Sequence, residues 1–345
     1  MRRTIPRRPP RLRLSLGLIG VAAPLLVLLA GRSPAHFRVD RAQYRMGTVL
    51  EIDAIAFRPG GAERGVADAF DAIGRAEARL SNWRPESELS RANRDGSRAP
   101  VPLSPETYGS VARSLDLARL TEGAFDPTVG AVTAALGLTG GPRDPVRARA
   151  LAPTIGWDGV RLDPERRTIF FERPGAQLDS GAFGKGEALD RADAVLRREG
   201  VAAARMNFGG QISLLGAHSP AGSRAGFARV SVAAPDAFGE ELCAFEMDDG
   251  SVSTSSDSEK PGHLLDPRTG GPAPFHGSAT AVADTAFRAD ALSTALFVMG
   301  PDRGIAFADR LGISALFVVP ASGGFALRPS RCFPRVRRLS AKVLP

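Results

Sequence analysis

The chain has 345 residues, 43% of them hydrophobic and 24% charged, with 18 Phe. That balance excludes a disordered or fibrous protein and leaves ample length for a large core. Two cysteines, Cys243 and Cys332, exclude a disulfide scaffold and a cysteine-based zinc site; their spacing does not decide whether they pair.

The net charge of +8 sits at the N-terminus. Residues 1–39 hold eight arginines and no acid; removing those eight from the 45 basic residues leaves 37, matching the 37 acids. A neutral body offers no electrostatic footprint for nucleic acid. The tail Arg2 to Arg13 precedes Leu14–Gly31, eighteen residues without a charge. A basic segment followed by an apolar run has the build of a bacterial secretion signal, and Ser33-Pro34-Ala35 supplies small residues for cleavage. The run also approaches the ~20 residues that span a bilayer. Residues 1–35 therefore read as a signal peptide or an N-terminal anchor, with inner-membrane attachment through residues 14–31. Positive charge stays inside, so residues 40–345 are expected on the periplasmic or outer face of the cytoplasmic membrane.

From residue 40 on, helical and strand patterns alternate without a repeat. Val49–Phe57 alternates like a strand, and Val66, Phe70, Ile73 and Leu80 recur at helical spacing. Ser104-Pro105 reads as a cap and first turn of a helix through Leu120. Gly159–Leu162 and Thr168–Glu172 flank a turn and predict a hairpin. A helix over Lys185–Glu199 with Gly200 as its stop, a strand at Ala204–Phe208, a helix over Ala289–Met299 ending at Gly300-Pro301, and a strand at Ile313–Val319 complete the pattern. Pro59–Gly61, Gly140–Pro145 and Pro220–Gly226 read as surface loops. The fold class is α+β, one large mixed domain over residues 40–345.

Four stretches carry residue types suited to chemistry. Leu178-Asp179-Ser180-Gly181-Ala182-Phe183-Gly184-Lys185-Gly186 places three glycines before a helix start, where backbone can approach phosphate oxygens. It lacks the spacing of a Walker motif, and a tight strand-to-helix turn explains the glycines equally well. Asp290 and Thr294 stand at i and i+4 on one helical face, an oxygen pair suited to Mg²⁺; the competing reading is an exposed polar face. Ser253–Asp257 and His263–Gly270 offer His263 as a general base and Arg268 as a phosphate fork, or merely a polar turn. Gly123-Ala124-Phe125-Asp126 follows Leu80-Ser81-Asn82-Trp83, whose Trp83 suits either ring stacking or the core. His36, His218 and His276 have no sequence companions that suggest catalytic work.

The order of these stretches is more specific than any of them. Met46-Gly47-Thr48, Leu80–Asn93, Gly123–Gly130, Leu178–Asp190, Asn207–Gly210, His263–Gly270 and Ala289–Gly300 follow one another in a series that resembles the ApbE family of FAD:protein FMN transferases. The resemblance implies an exported, Mg²⁺-dependent enzyme that takes FAD as substrate. It moves the FMN half onto a Thr or Ser hydroxyl of an acceptor flavoprotein and releases AMP. Acceptors of that family carry an Asp-x-x-Ser/Thr-Gly-Ala-Thr/Ser motif and are typically membrane redox-chain subunits. By resemblance, Asp290, Thr294 and the backbone of Ala182 meet the metal, and Met46, Trp83, Ala124, Phe125, Asp126, Asp179, Lys185 and Leu264 hold FAD.

His263 is the expected base by chemical type, and Asp257 the second candidate. Departures from the family pattern fall at Ser256-Asp257-Ser258, where an aromatic is lost, at Gln211 in place of a common Asp, and at Ser180 and Glu187. They motivate two competing expectations: an exported FAD pyrophosphatase giving FMN and AMP, or a non-catalytic flavin-binding or assembly protein.

Overall fold

β1 (Phe37–Arg45) and β2 (Thr48–Ala56) form an antiparallel hairpin around Met46 and Gly47, both at positive φ. The computed structural model describes residues 36–216, 228–258 and 261–344. The N-terminal tail, its apolar run, His218 and the Pro220–Gly226 loop lie outside the described residues.

Helix α1 (Gly61–Leu80) buries Val66, Phe70, Ile73 and Leu80, the face its periodicity predicts. The short α2 (Glu88–Asp95) and β3 (Val101–Pro102) precede α3 (Pro105–Leu120), where Ser104 Oγ accepts the N–H of Thr107 at 3.2 Å as the expected cap. After α4 (Gly130–Ala135) and α5 (Pro145–Leu151), the hairpin of β4 (Val160–Asp163) and β5 (Thr168–Phe171) joins β3 in a small sheet. Then come α6 (Gly184–Arg198), β6 (Val201–Phe208) and β7 (Gln211–Leu215).

The chain continues through β8 (Ala228–Ala234), β9 (Ala237–Met247), β10 (Gly250–Ser256), β11 (Leu265–Asp266), β12 (Gly271–Pro272) and β13 (Ser278–Ala283). Helix α7 (Ala286–Leu311) leads to β14 (Ser314–Ala321), β15 (Gly324–Pro329) and β16 (Arg337–Arg338). The predicted stop in α7 is real, because Gly300 leaves helical geometry at φ 71°, ψ 172°. Pro301 then opens a second helical stretch, as its missing N–H permits at a first-turn position. The sequence reading did not include that stretch.

The main sheet runs β1-β2-β6-β7-β10-β13-β14-β15 with every neighbouring pair antiparallel. Its register decides what meets the helices. Leu50, Ile52, Met206 and Phe208 share one face with Ser213, Ser251, Ser253 and Ser255, then with Ala279, Ala281 and Phe317. Helices α1 and α6 close over the first group, and α7 packs Leu292, Ala295 and Leu296 on the last. Leu214, Val252, Leu316 and Val318 point to the opposite face, where β8 and β9 cover them with Val230, Val232 and Phe245. Cover on both sides leaves all five residues of β7 buried. Each such Leu, Val or Phe contributes about 1.5–3 kcal/mol.

Both cysteines are free: Cys243 is buried on β9 and Cys332 is exposed. Burial pushes the Cys243 thiol up to about 11. Among the described residues no helix is long and apolar enough to cross a membrane.

Candidate active site

Strand β10 reads Gly-Ser-Val-Ser-Thr-Ser-Ser, so its period of two puts Ser251, Ser253 and Ser255 on the side facing α7. Ser251 bonds the Ile212 carbonyl. The other two meet the polar stripe of α7. Ser255 Oγ lies 2.9 Å from Ser293 Oγ and 3.4 Å from Thr294 Oγ1, while Ser253 Oγ lies 3.3 Å from Ser293 Oγ and 3.5 Å from Asp290 Oδ1. Asp290 is 4% exposed, so the reading of an exposed polar face fails.

Its other oxygen, Oδ2, accepts the N–H of Gly186 at 3.1 Å in the first turn of α6. Burial pushes this carboxyl above the usual range, against the pull of the Lys185 ammonium, the Gly186 N–H and the Ser253 hydroxyl. One carboxylate in a ring of hydroxyls, with few other donors on Oδ1, is an oxygen-only set that fits a hard divalent cation. Among the described residues no group of three or more His, Cys, Asp or Glu is placed to hold a metal ion. Hydroxyls and backbone carbonyls would therefore complete any coordination. Ser253, Ser255 and Ser293 lie within stretches the sequence singles out but have no role assigned there; their two-residue alternation and the i, i+3 spacing from Asp290 carry the signal.

The glycine-rich stretch before α6 is held from behind. Asn93 brackets Leu178, donating from Nδ2 to its carbonyl at 2.8 Å and accepting its N–H at 2.7 Å. Asn82 donates to the same carbonyl and accepts the N–H of Ser180 at 3.1 Å. Ser180 Oγ closes on the Leu80 carbonyl. Asp179 takes the N–H of Gly181 at 2.8 Å, which turns the chain toward Ala182 and Lys185. Gly186 packs so closely that an added Cβ would stand 2.4 Å from the Ala286 carbonyl oxygen.

The residues expected to hold FAD divide into two groups. Half-buried Met46 reaches α6: a Cβ on Gly184 would lie 3.3 Å from its methyl carbon. Asp179, Ala182 and Lys185 line the same turn, and Trp83 is 66% exposed over Gly140, which excludes a core role for its ring. Phe125, by contrast, lies in the core with Phe183 and Leu292. Asp126 is buried with both oxygens engaged: Oδ1 by the Thr128 N–H and hydroxyl, Oδ2 by the Trp157 N–H at 3.0 Å. Burial raises its carboxyl, against those bonds. Its side chain is thus a brace within the fold, with no oxygen left free for a ligand.

Arg268 does not offer a phosphate fork. Its Nε and Nη2 bind Asp266 at 2.9 and 2.7 Å, and its N–H adds a third bond. Burial would raise Asp266, but these bonds and the nearby Arg303 together hold it below the usual range. His263 and Leu264 are half-buried just ahead of β11, and Leu264 packs on the core under α7. His276, which sequence left without companions, places Nδ1 3.2 Å from Asp257 Oδ2 across the end of the β10–β13 ladder. The pair is nineteen residues apart in sequence, hence invisible there.

Glu187 is fully buried between Arg113 and Arg191, the latter at 2.8 Å. Nearby Asp190 is pushed up to about 6, chiefly by burial, with the N–H groups of Ala286 and Phe287 and the charge of Arg113 acting the other way. A folded value above the unfolded one near 3.8 stabilises the fold fully below pH 4, and that contribution is lost as pH rises through 6. Thermal melts from pH 4.5 to 7.5 should therefore show a loss of order 2–3 kcal/mol that Asp190→Asn abolishes. Parallel curves for the two proteins would contradict it.

Beside Asn82 and Asn93 opens a cavity of about 590 Å³, also lined by Arg94, Arg98, Thr139 and Gln177 and by no acid. Against known proteins, the sequence profile described as the ApbE family matches residues 46–317. The FAD:protein FMN transferase of Vibrio cholerae is 29% identical over 331 residues, covering 91% of this chain and 97% of that one. That of Haemophilus influenzae is 26% identical over 280 residues, covering 75% and 79%. The solved flavin transferase ApbE from Vibrio cholerae superposes with a TM-score of 0.77 at 27% identity, over 87% of this chain and 99% of that one.

Proposed function

Because this chain belongs to the ApbE family, we propose that it is a transferase moving the FMN half of FAD onto a protein, with Mg²⁺ bound at Asp290, Thr294 and the Ala182 carbonyl. The observation that carries the reading is the buried Asp290 carboxylate, set among hydroxyls where the first turns of α6 and α7 converge. The N-terminus of α6 and Lys185 concentrate positive potential there, as a pyrophosphate requires. The acid-free cavity with Arg94 and Arg98 has room for one end of the dinucleotide.

The acceptor hydroxyl attacks the FMN-side phosphorus of FAD; the bond from that phosphorus to the bridging oxygen breaks, and AMP leaves. Mg²⁺, when bound, supplies neutralisation of phosphoryl charge. Lys185 orients the phosphates, and the backbone at Ala124–Asp126 and the turn at Asp179 position the nucleotide. His263 takes the hydroxyl proton; Asp257, facing His276, is the second candidate.

The acceptor is a flavoprotein with an Asp-x-x-Ser/Thr-Gly-Ala-Thr/Ser motif on a membrane redox complex. The eight N-terminal arginines and the uncharged run at 14–31 support export to the periplasmic face. AMP release from FAD and Mg²⁺, followed chromatographically with and without an acceptor domain, tests the reading. Release that depends on acceptor and stops with EDTA is expected. Equal release without acceptor, with free FMN, would make the protein a pyrophosphatase; bound FAD with no release would make it a binding protein.

A further inference from the structure

Helix α7, which carries Asp290, starts on a side chain from another helix. Asp190 of α6 accepts the N–H of Ala286 through Oδ1 at 2.7 Å and of Phe287 through Oδ2 at 3.2 Å. Thr285 Oγ1 takes the N–H of Arg288 at 3.3 Å, and the N–H of Ala289 closes on the Thr285 carbonyl. The three open donors of the first turn, at Ala286, Phe287 and Arg288, are thus met, and Ala289 makes the first intrahelical bond. The reverse bond exists too, since Asp290 of α7 accepts the Gly186 N–H in the first turn of α6. Each helix caps the other.

The charge of Asp190 is itself held in place. Arg113, reaching from α3, pairs with buried Glu187, stands 3.9 Å from Asp190 Oδ2, and lies 4.4 Å from the centroid of the Phe287 ring. Arg191 holds the second oxygen of Glu187. Three helices therefore converge on the two residues that open α7, one turn before Asp290.

We propose that Asp190, held beside Arg113, which buried Glu187 in turn fixes, is a positioning residue of the cation site. By locking the first turn of α7 against α6 it presents Asp290 and Thr294 to the metal with their spacing already set. The inference rests on the Mg²⁺ reading above. Mg²⁺ accepts little departure from octahedral geometry, so small slippage between the helices weakens binding, and residues that orient ligands are commonly worth 10–100-fold in metal affinity.

Calorimetric titration of Mg²⁺ into the EDTA-stripped full chain, without FAD, at pH 8, separates positioning from mere stability. Asp190→Asn and Asp190→Ala are expected to bind Mg²⁺ at least about tenfold more weakly. Asp144→Ala, which removes the cap of α5, a helix that carries none of the partners of Asp190, should lower the melting temperature and leave Mg²⁺ affinity unchanged. Asp190 variants that are folded and bind Mg²⁺ like the wild type would overturn the inference. Should neither fold, Arg113→Gln decides in their place, at a half-exposed position, with a loss of threefold or more expected and wild-type affinity fatal. A wild type that binds no Mg²⁺ would instead sink the metal reading beneath it.

Discussion

Replacing Asp290 by Ala is expected to lower flavin transfer by about a thousandfold or more, roughly 4 kcal/mol in the barrier. The fold should survive. The carboxylate is 4% exposed, burial already disfavours its charged form, and its partners are one N–H and a hydroxyl at 3.5 Å. Removing a buried charge without a formal counter-ion contact relieves desolvation, which offsets the lost bond to Gly186. Turnover and thermal melts of the same preparation therefore should move independently: activity collapses while the melting temperature holds or rises. A joint collapse would assign Asp290 to the core rather than to the chemistry.

The second large effect concerns Gly186. A side chain there would drive its Cβ to 2.4 Å from the Ala286 carbonyl oxygen and 2.7 Å from the Phe287 Cα, both backbone atoms that cannot swing aside. Gly186→Val must separate α6 from α7, at a cost of about 3 kcal/mol in denaturant unfolding. It would also withdraw the N–H that holds Asp290. Gly74→Ala is the matched control: it lies within α1 with nothing inside 4 Å of the new methyl. Better helix propensity should stabilise it by about 0.5–1 kcal/mol. Equal destabilisation of the two variants would show that helix geometry, rather than the α6–α7 contact, governs the glycine.

What sequence makes legible here depends on the range of the interaction. The start of α3 is written within four residues, Ser104 to Thr107, and the break in α7 within two, Gly300-Pro301. Helix α1 shows its buried face by period alone. Strands β8 and β9 are legible only in hindsight: Val230 and Val232 alternate with Arg229 and Ser231, and Pro235-Asp236 and Asp249-Gly250 mark the turns, but which sheet face they cover is set by tertiary packing alone.

The site divides in the same way. Asp290 and Thr294 share one helical turn, so their pairing needs no tertiary knowledge. Ser255 reaches Ser293 only because the register of β10 under α7 turns it inward. Arg268 has the composition of a phosphate fork, yet Asp266 two residues away saturates it. Glu187 looked like an unexplained departure from the family pattern; Arg113, 74 residues distant, is its reason. Long-range charge pairs of that kind have no local trace.

If FAD is consumed to modify a protein, intact-mass spectrometry of the acceptor reads the change directly. An acceptor domain bearing the Thr motif is incubated with FAD, Mg²⁺ and residues 36–345, beside an EDTA control and the Asp290→Ala variant. A gain of one FMN-phosphoryl unit on the acceptor is expected, absent with EDTA and absent with the variant. An acceptor of unchanged mass, while FAD is converted to free FMN and AMP, would contradict the transferase reading.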